Sequence, residues 1–167
     1  METHTEDAQK AVESAASGVP SEVDRILEDA RRQLEEAWEE KRRRLQDEAD
    51  LWRTYAEAQR QMAESLAQAE LLTFFLCHAG VFASNLAVYV IKDAALTAWK
   101  TRGEGCFPDV LSPDHNEPDA YFKPIVVREK TVAAVYARQP FRAESLDYLS
   151  ACLARAIEVF GMKLQTR

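Results

Sequence analysis

The apolar positions of residues 21–70 predict a single long helix. This stretch contains neither glycine nor proline, and Ser21, directly after Pro20, is the expected N-cap. From Val23 to Leu34 the apolar residues recur in alternating steps of four and three, the spacing of a helix that packs against another helix. A helix of fifty residues is about 75 Å long. Because nothing else in the chain matches that length, the sequence predicts pairing with a second copy through parallel helices.

The apolar stripe shifts in register at Trp38. From there it recurs every seven residues through Leu45, Trp52, Gln59 and Leu66, an offset that locally unwinds a left-handed coiled coil. Two interpretations of the tryptophans stay open: the seam of a homodimer, which we favour, or an aromatic docking face for another protein. The predicted dimer residues in this helix are Leu34, Trp38, Leu45, Trp52 and Leu66.

The remaining residues predict three segments and an α+β fold. Residues 1–20 are polar and rich in small residues, which predicts a disordered tail, followed by a coiled-coil helix over 21–71 and a folded domain over 72–167. Alternating and β-branched runs predict two hairpins in the domain, and Gln139-Pro140 is expected to end its sheet. The predicted elements are a helix from Leu72 to Phe82, strands at Leu86–Ile91, Ala95–Thr101, Tyr121–Val127 and Thr131–Arg138, a loop at Gly103–Ala120, and a helix at Ala143–Leu164.

The last predicted helix carries two apolar stripes. One runs through Leu146, Leu149 and Leu153, and a second includes Tyr148, Cys152 and Val159. Two apolar faces on one helix imply two neighbours: one is the sheet, and the other is either the long N-terminal helix or a helix of a second copy. We therefore predict that Tyr148, Cys152 and Val159 join the dimer interface.

Charge and composition argue against several possible functions. The chain has 28 acidic and 21 basic residues, and residues 1–70 hold 18 of the acids and only 10 of the bases. An acidic helix repels phosphate backbones, so nucleic-acid binding is not expected. We expect no membrane insertion because no apolar run approaches the length of a bilayer span, and no signal-like core follows the N-terminus. Three cysteines without a CxxC motif are typical of reduced thiols, so we expect a cytoplasmic protein.

The sequence offers little chemistry for catalysis. Gly-rich phosphate loops, GxSxG and HExxH motifs are absent, and we predict no catalytic residue, cofactor or metal. The loop Gly103–Ala120 gathers Cys106, His115 and several carboxylates, but their spacing matches neither a zinc nor a calcium site. The chain is therefore predicted not to be an enzyme.

Four segments together resemble a GAF domain: Val88–Gly103, Phe107–Val110, Tyr121–Ala137 and Pro140–Phe160. The resemblance implies an antiparallel sheet with the first and last helices on one face and a small-molecule pocket on the other. It also implies a parallel dimer built by those helices, often entered by an upstream signalling helix. The pair Cys77-His78 resembles the chromophore-binding pair of bilin-binding GAF domains, but it precedes the first strand. Free methionine sulfoxide reductases have a cysteine near the position of His115, and this chain has none there.

Two functions follow from this resemblance. The favoured one is a non-enzymatic, dimeric signalling or adaptor protein that also binds a protein partner through its coiled coil. The alternative is a small-molecule sensor with a pocket under residues 103–120, for which the candidate lining residues are Tyr89, Trp99, Phe107 and Tyr121. The segment between the second and third long strands is short for a GAF domain. We therefore expect its apolar residues Phe107, Val110 and Leu111 to fill this space rather than enclose a ligand.

Overall fold

The computed structural model describes the backbone of residues 3–165 and the side chains of residues 21–163. It divides into two compact units, residues 1–50 and residues 51–167. The elements in chain order are α1 (Thr3–Glu64), α2 (Gln68–Ala79), β1 (Ala83–Lys92), β2 (Ala95–Arg102), β3 (Val110–Leu111), β4 (Ala120–Val127), β5 (Lys130–Phe141) and α3 (Ala143–Gln165). The α+β class predicted from the sequence is confirmed.

Helix α1 begins earlier than predicted. It starts at Thr3 rather than at Ser21, so the backbone of residues 3–20, predicted to be a disordered tail, is helical. The helix does not begin directly after Pro20, where the sequence predicted its start. The run before Pro20 is rich in alanine, which has the highest helix propensity, and it favours a helix. The prediction for residues 1 and 2, and for the side chains of residues 1–20, lies outside the described residues.

Helix α1 also ends earlier than predicted, at Glu64 rather than at residue 71. Ser65 Oγ donates a hydrogen bond to the carbonyl oxygen of Gln61 (3.0 Å), and the backbone N–H of Leu66 donates to Glu70 Oε2 (2.8 Å). Such side-chain bonds to backbone groups compete with the helical pattern and favour a break. The compact C-terminal unit begins at Leu51 and not at Leu72, because the last turns of α1 belong to its core.

The sheet has five antiparallel strands in the order β3-β2-β1-β5-β4. Both predicted hairpins form through two-residue turns with positive φ at each residue: 51° and 64° at Asp93 and Ala94, and 50° and 65° at Arg128 and Glu129. This backbone twist matches that of the flanking strands. Strand β4, at one edge of the sheet, contains Pro124.

All four predicted strands are longer in the structure, β2 and β4 by a single residue and β1 and β5 by more. Strand β1 begins at Ala83 and includes Asn85, which was predicted to precede it, because a register shift against β5 accommodates that residue. Strand β5 continues through the cis Gln139–Pro140 bond to Phe141, where the sequence predicted the sheet to end. The proline is tolerated there because it follows Arg138, the last residue of β5 paired with β4.

The sheet separates two apolar clusters. We call the side that packs on α2, α3 and the last turns of α1 the helix face, with Leu86, Val88 and Val135 at its centre. We call the opposite side, covered by residues 103–119, the loop face. Its buried residues are Ala87, Tyr89, Leu96, Leu111, Ala134 and Tyr136. Alternation along β1 and β5 produces this division, since successive residues of a strand point to opposite faces.

Candidate functional site

An apolar groove lies between the last turns of α1 and the C-terminal part of α3. Its volume is about 360 Å³, within the size range of small-ligand and anchor pockets. We call it the helix groove, and it is lined by Gln59, Met62, Ala63, Ser65, Tyr148, Ala151, Cys152, Arg155, Ala156, Val159, Phe160 and Lys163. The groove contains two basic side chains and no acidic one, in a chain where acids outnumber bases.

An aromatic cluster joins α1 to α3 beside this groove. The rings of Tyr55 and Tyr148 are stacked with centroids 4.3 Å apart, and Trp52 contacts both edge-on at 5.7 and 6.3 Å. The buried hydroxyl of Tyr55 donates a hydrogen bond to Ser145 Oγ at 2.8 Å. Trp52 is nevertheless 55% exposed, so the cluster is both a core contact and an accessible aromatic surface.

The structure places the predicted dimer residues of the C-terminal unit on this side of the molecule or next to it. Tyr148, Cys152 and Val159 line the helix groove, and Leu66 follows Ser65, which also lines it. Val159 is 36% exposed and Leu66 is 87% exposed. Burial raises the pKa of the Cys152 thiol, which keeps it protonated at neutral pH. Their role in a dimer stays a prediction.

The residues of α1 that pack in the core, and several residues that line the groove, were not predicted from the sequence. Tyr55, Ala58 and Met62 are buried in the helix-face core, whereas the stripe through Trp52 and Leu66 faces solvent. The signal was present, because Leu51 precedes these three residues in steps of four, three and four, which is core spacing. The prediction followed the seven-residue repeat that contains Trp38 and Trp52, which lies on another face of the helix.

In residues 21–50 the predicted stripe is exposed to solvent. Leu34, Trp38 and Leu45 are 58–60% exposed, and the ammonium group of Lys41 lies 5.4 Å from the Trp38 ring. Glu40 pairs with Arg44 at 3.2 Å and with Arg43 at 3.6 Å, as the helical spacing predicts. The apolar stripe in this unit therefore has no partner within the described chain.

Phe107 and Leu111 cover the loop face. Leu111 is 6% exposed, and the Phe107 ring packs edge-on against Tyr136 at 5.7 Å. The Tyr89 hydroxyl donates a hydrogen bond to the carbonyl oxygen of Pro108 at 2.7 Å, which holds the loop to β1. Burial raises the pKa of Tyr89 to about 12, so this hydroxyl remains a donor. Val110, predicted to be a third anchor, is 56% exposed.

A polar cluster closes the other end of the loop face. Tyr136 donates its hydroxyl hydrogen to Glu117, and Arg138 Nε donates to the same hydroxyl oxygen at 3.2 Å. The Tyr136 hydrogen bond, helped by the nearby charge of Arg138, lowers the pKa of the Glu117 carboxyl. The His115 ring lies edge-on to Phe122 and Tyr136, each at 5.4 Å. These contacts fix residues 115–117 against β4 and β5.

The four candidate pocket residues do not share one site. Tyr89 and Phe107 lie on the loop face, but Trp99 packs against the helix-face cluster, and so does Tyr121, whose hydroxyl donates to Asp147 of α3. The two-residue turn at Asp93 and Ala94 pairs Tyr89 with Ala98, so Trp99, the next residue of β2, lies on the opposite face. The structure therefore divides these candidates between the two faces of the sheet, and a ligand pocket on the loop face stays a hypothesis.

Neither a metal-binding cluster nor a membrane-spanning helix occurs among the described residues. Among them, no group of three or more His, Cys, Asp or Glu side chains is placed to hold a metal ion. No described helix combines the length and apolar character that crossing a membrane requires.

Comparison with known proteins supports the fold. The chain is similar to the crystal structure of a GAF domain from a protein described as a sensor histidine kinase of Pseudomonas syringae pv. tomato. The TM-score is 0.56 at 15% identity, over 74% of this chain and 95% of that one. The fold is GAF-like. No protein-family model and no curated protein matches the sequence, so the resemblance lies in the GAF-like arrangement of helices and strands.

Proposed function

We propose that this chain is a dimeric signalling or adaptor protein in which α1 pairs with α1 of a second copy and the GAF-like unit adds to the interface. The observation that supports this is the row of exposed apolar residues on α1. Val23, Leu27, Leu34, Trp38 and Leu45 are each at least half exposed. A helix of 62 residues with one such stripe gains stability by burying it against another helix.

The GAF-like unit supports the same proposal through its helix groove. The groove between α1 and α3 is mainly apolar, and Val159, which lines it, is partly exposed. Exposed apolar surface of this kind is typical of protein association sites. In this proposal the unit positions the two helices, and a partner protein binds to the paired α1 helices.

Sedimentation equilibrium of the full chain at micromolar concentration tests the dimer. We expect twice the monomer mass of 18.9 kDa. Leu45→Asp should raise the dimer dissociation constant by at least about tenfold, because it leaves a charge in a desolvated seam. Arg43→Asp is the matched control on the same helix, and it should leave the constant nearly unchanged. A monomer at these concentrations would exclude the proposal.

The alternative function, a small-molecule sensor, has less support. Its pocket would lie under residues 103–120, where the side chains of Phe107 and Leu111 occupy the loop face. A ligand there would first have to displace these residues and the Tyr89–Pro108 hydrogen bond. Native mass spectrometry of the purified protein tests this alternative directly, because a sensor that retains its ligand would show a stoichiometric added mass.

A further inference from the structure

Leu66 is the most exposed large apolar residue among the described side chains. It is 87% exposed and lies in the short break between α1 and α2. Burial of this side chain in an interface would be favourable, because it removes apolar surface from water. The break is also ordered, because the N–H of Leu66 is capped by Glu70 and Ser65 bonds back to α1. The side chain is therefore presented on a defined backbone.

The helix groove begins next to this leucine. Ser65 lines the groove, and so do Met62 and Ala63 from the turn before it. A projecting apolar residue and an apolar groove thus lie side by side on one subunit. Such a surface is self-complementary, as a two-fold symmetric dimer interface requires. The leucine of each copy can contact the groove of the other.

The charges around the two features are also complementary. Glu70 and Glu64, the latter paired with Arg60 at 2.7 Å, flank Leu66 in the sequence, whereas the groove is lined by Arg155 and Lys163 and by no acidic residue. Insertion of Leu66 would bring the two carboxylates towards the basic groove of the other copy. Opposite charges at an interface favour one orientation and disfavour others.

We propose that Leu66 of each copy inserts into the helix groove of the partner copy, beside Cys152 and Val159. This inference rests on the proposed dimer and names the contact that fixes the register of its two GAF-like units. The break between α1 and α2 then has a role of its own: it turns the chain so that a leucine projects at the level of the groove.

The first test measures the dimer dissociation constant of full-length variants by sedimentation equilibrium. Leu66→Asp should raise it by roughly 10- to 100-fold, the effect of losing one buried leucine. Ala63→Trp, an exposed position that lines the groove, should also raise it by filling the space. Val81→Asp is the matched control, because Val81 is 68% exposed and does not line the groove. An unchanged constant in Leu66→Asp and Ala63→Trp would overturn the inference.

The second test uses Cys152 as a reporter inside the groove. In a full-length chain carrying Cys77→Ser, Cys106→Ser and Leu66→Cys, oxidation by copper–phenanthroline and oxygen should join position 66 of one copy to Cys152 of the other. The expected product is a disulfide-linked dimer identified by its cross-linked peptide and lost in Cys152→Ala. Val81→Cys in place of Leu66→Cys should give none. Absence of that peptide contradicts the insertion.

These results separate the inference from the proposed function. If Leu45→Asp weakens the dimer while the Leu66 and Ala63 variants do not, the helix-mediated dimer stands and the insertion is wrong. If the unmodified chain is a monomer, both are wrong.

Discussion

The ring of Tyr55 lies stacked on the ring of Tyr148, with centroids 4.3 Å apart and planes inclined by 25°. The first ring belongs to α1 and the second to α3, so this contact attaches the end of the long helix to the last helix of the GAF-like unit. The Tyr55 hydroxyl reaches further along α3 to Ser145. The final turns of α1 are consequently part of the domain that they enter.

Removing Tyr55 should destabilise the C-terminal unit strongly. Tyr55 is 6% exposed, and Tyr55→Ala should lower the free energy of unfolding by about 3–5 kcal/mol, as for other buried aromatic residues. Tyr55→Phe keeps the ring but leaves Ser145 without its donor, at a cost of about 1–3 kcal/mol. Denaturation by urea measures both, with the exposed Gln59→Ala as control. A loss below 1 kcal/mol in Tyr55→Ala would show that this packing is not part of the core.

The position of the domain boundary can be tested by truncation. A fragment of residues 51–167 should fold, because it keeps Tyr55, Ala58 and Met62 in the helix-face core. A fragment of residues 72–167 lacks all three and exposes the apolar surface of Leu72 and Phe75, which favours aggregation. Circular dichroism and light scattering compare the two fragments. Equal thermal stability of both would place the boundary at residue 72, as the sequence predicted.

Histidine 78 should make stability depend on pH near neutrality. Burial lowers the pKa of His78 below its usual value of 6.5, and only the nearby charge of Glu57 opposes this. The folded state therefore binds fewer protons than the unfolded state as the pH falls through about 6.5. The contribution of neutral His78 is fully present above that pH and is lost progressively below it.

The comparison variant is His78→Gln, which keeps an amide facing Gln61; in the native chain His78 Nε2 lies 2.9 Å from Gln61 Oε1. Between about pH 7.5 and 5.5 the native chain should lose more unfolding free energy than this variant does. Urea denaturation across this range gives the two slopes. Parallel slopes would mean that His78 does not titrate differently in the folded state.

Adjacent residues of β3 provide a matched pair for the loop face. Leu111 is 6% exposed and Val110 is 56% exposed, so Leu111→Ala should cost about 2–5 kcal/mol and Val110→Ala less than about 0.5 kcal/mol. Thermal and urea denaturation measure the difference. If the loop were not packed on the sheet, the two substitutions would have similar small effects.

The order of α2, α3 and the four long strands could be predicted from sequence because each of these elements has its own periodicity, whereas the two-residue strand β3 lies in the segment predicted to be a loop. The hairpin turns and the alternation in β1 and β5 are local signals of this kind. The packing of Tyr55, Ala58 and Met62 could not be separated from the stripe of Trp38 and Trp52, since both have helical spacing. Only the tertiary contacts with α3 select between them.

The faces of the sheet on which the candidate pocket residues lie could not be predicted, for a related reason. Tyr89 and Trp99 belong to neighbouring strands, and their faces depend on the register between those strands. A shift of one residue moves a side chain to the other face. The predicted strands left residues 92–94 between them, whereas the structure has a two-residue turn, and this difference of one residue decides the face of Trp99.

Pro124 has a consequence for how copies of this protein meet. Strand β4 forms one edge of the sheet, and an open edge is the usual route by which sheets join into continuous fibrils. A proline offers no N–H to an added strand, and the neighbouring Lys123 is charged. At the opposite edge, β3 is only two residues long. Sheet-to-sheet growth is disfavoured at both edges, so a dimer formed through the helices, as proposed here, would not extend into a fibril.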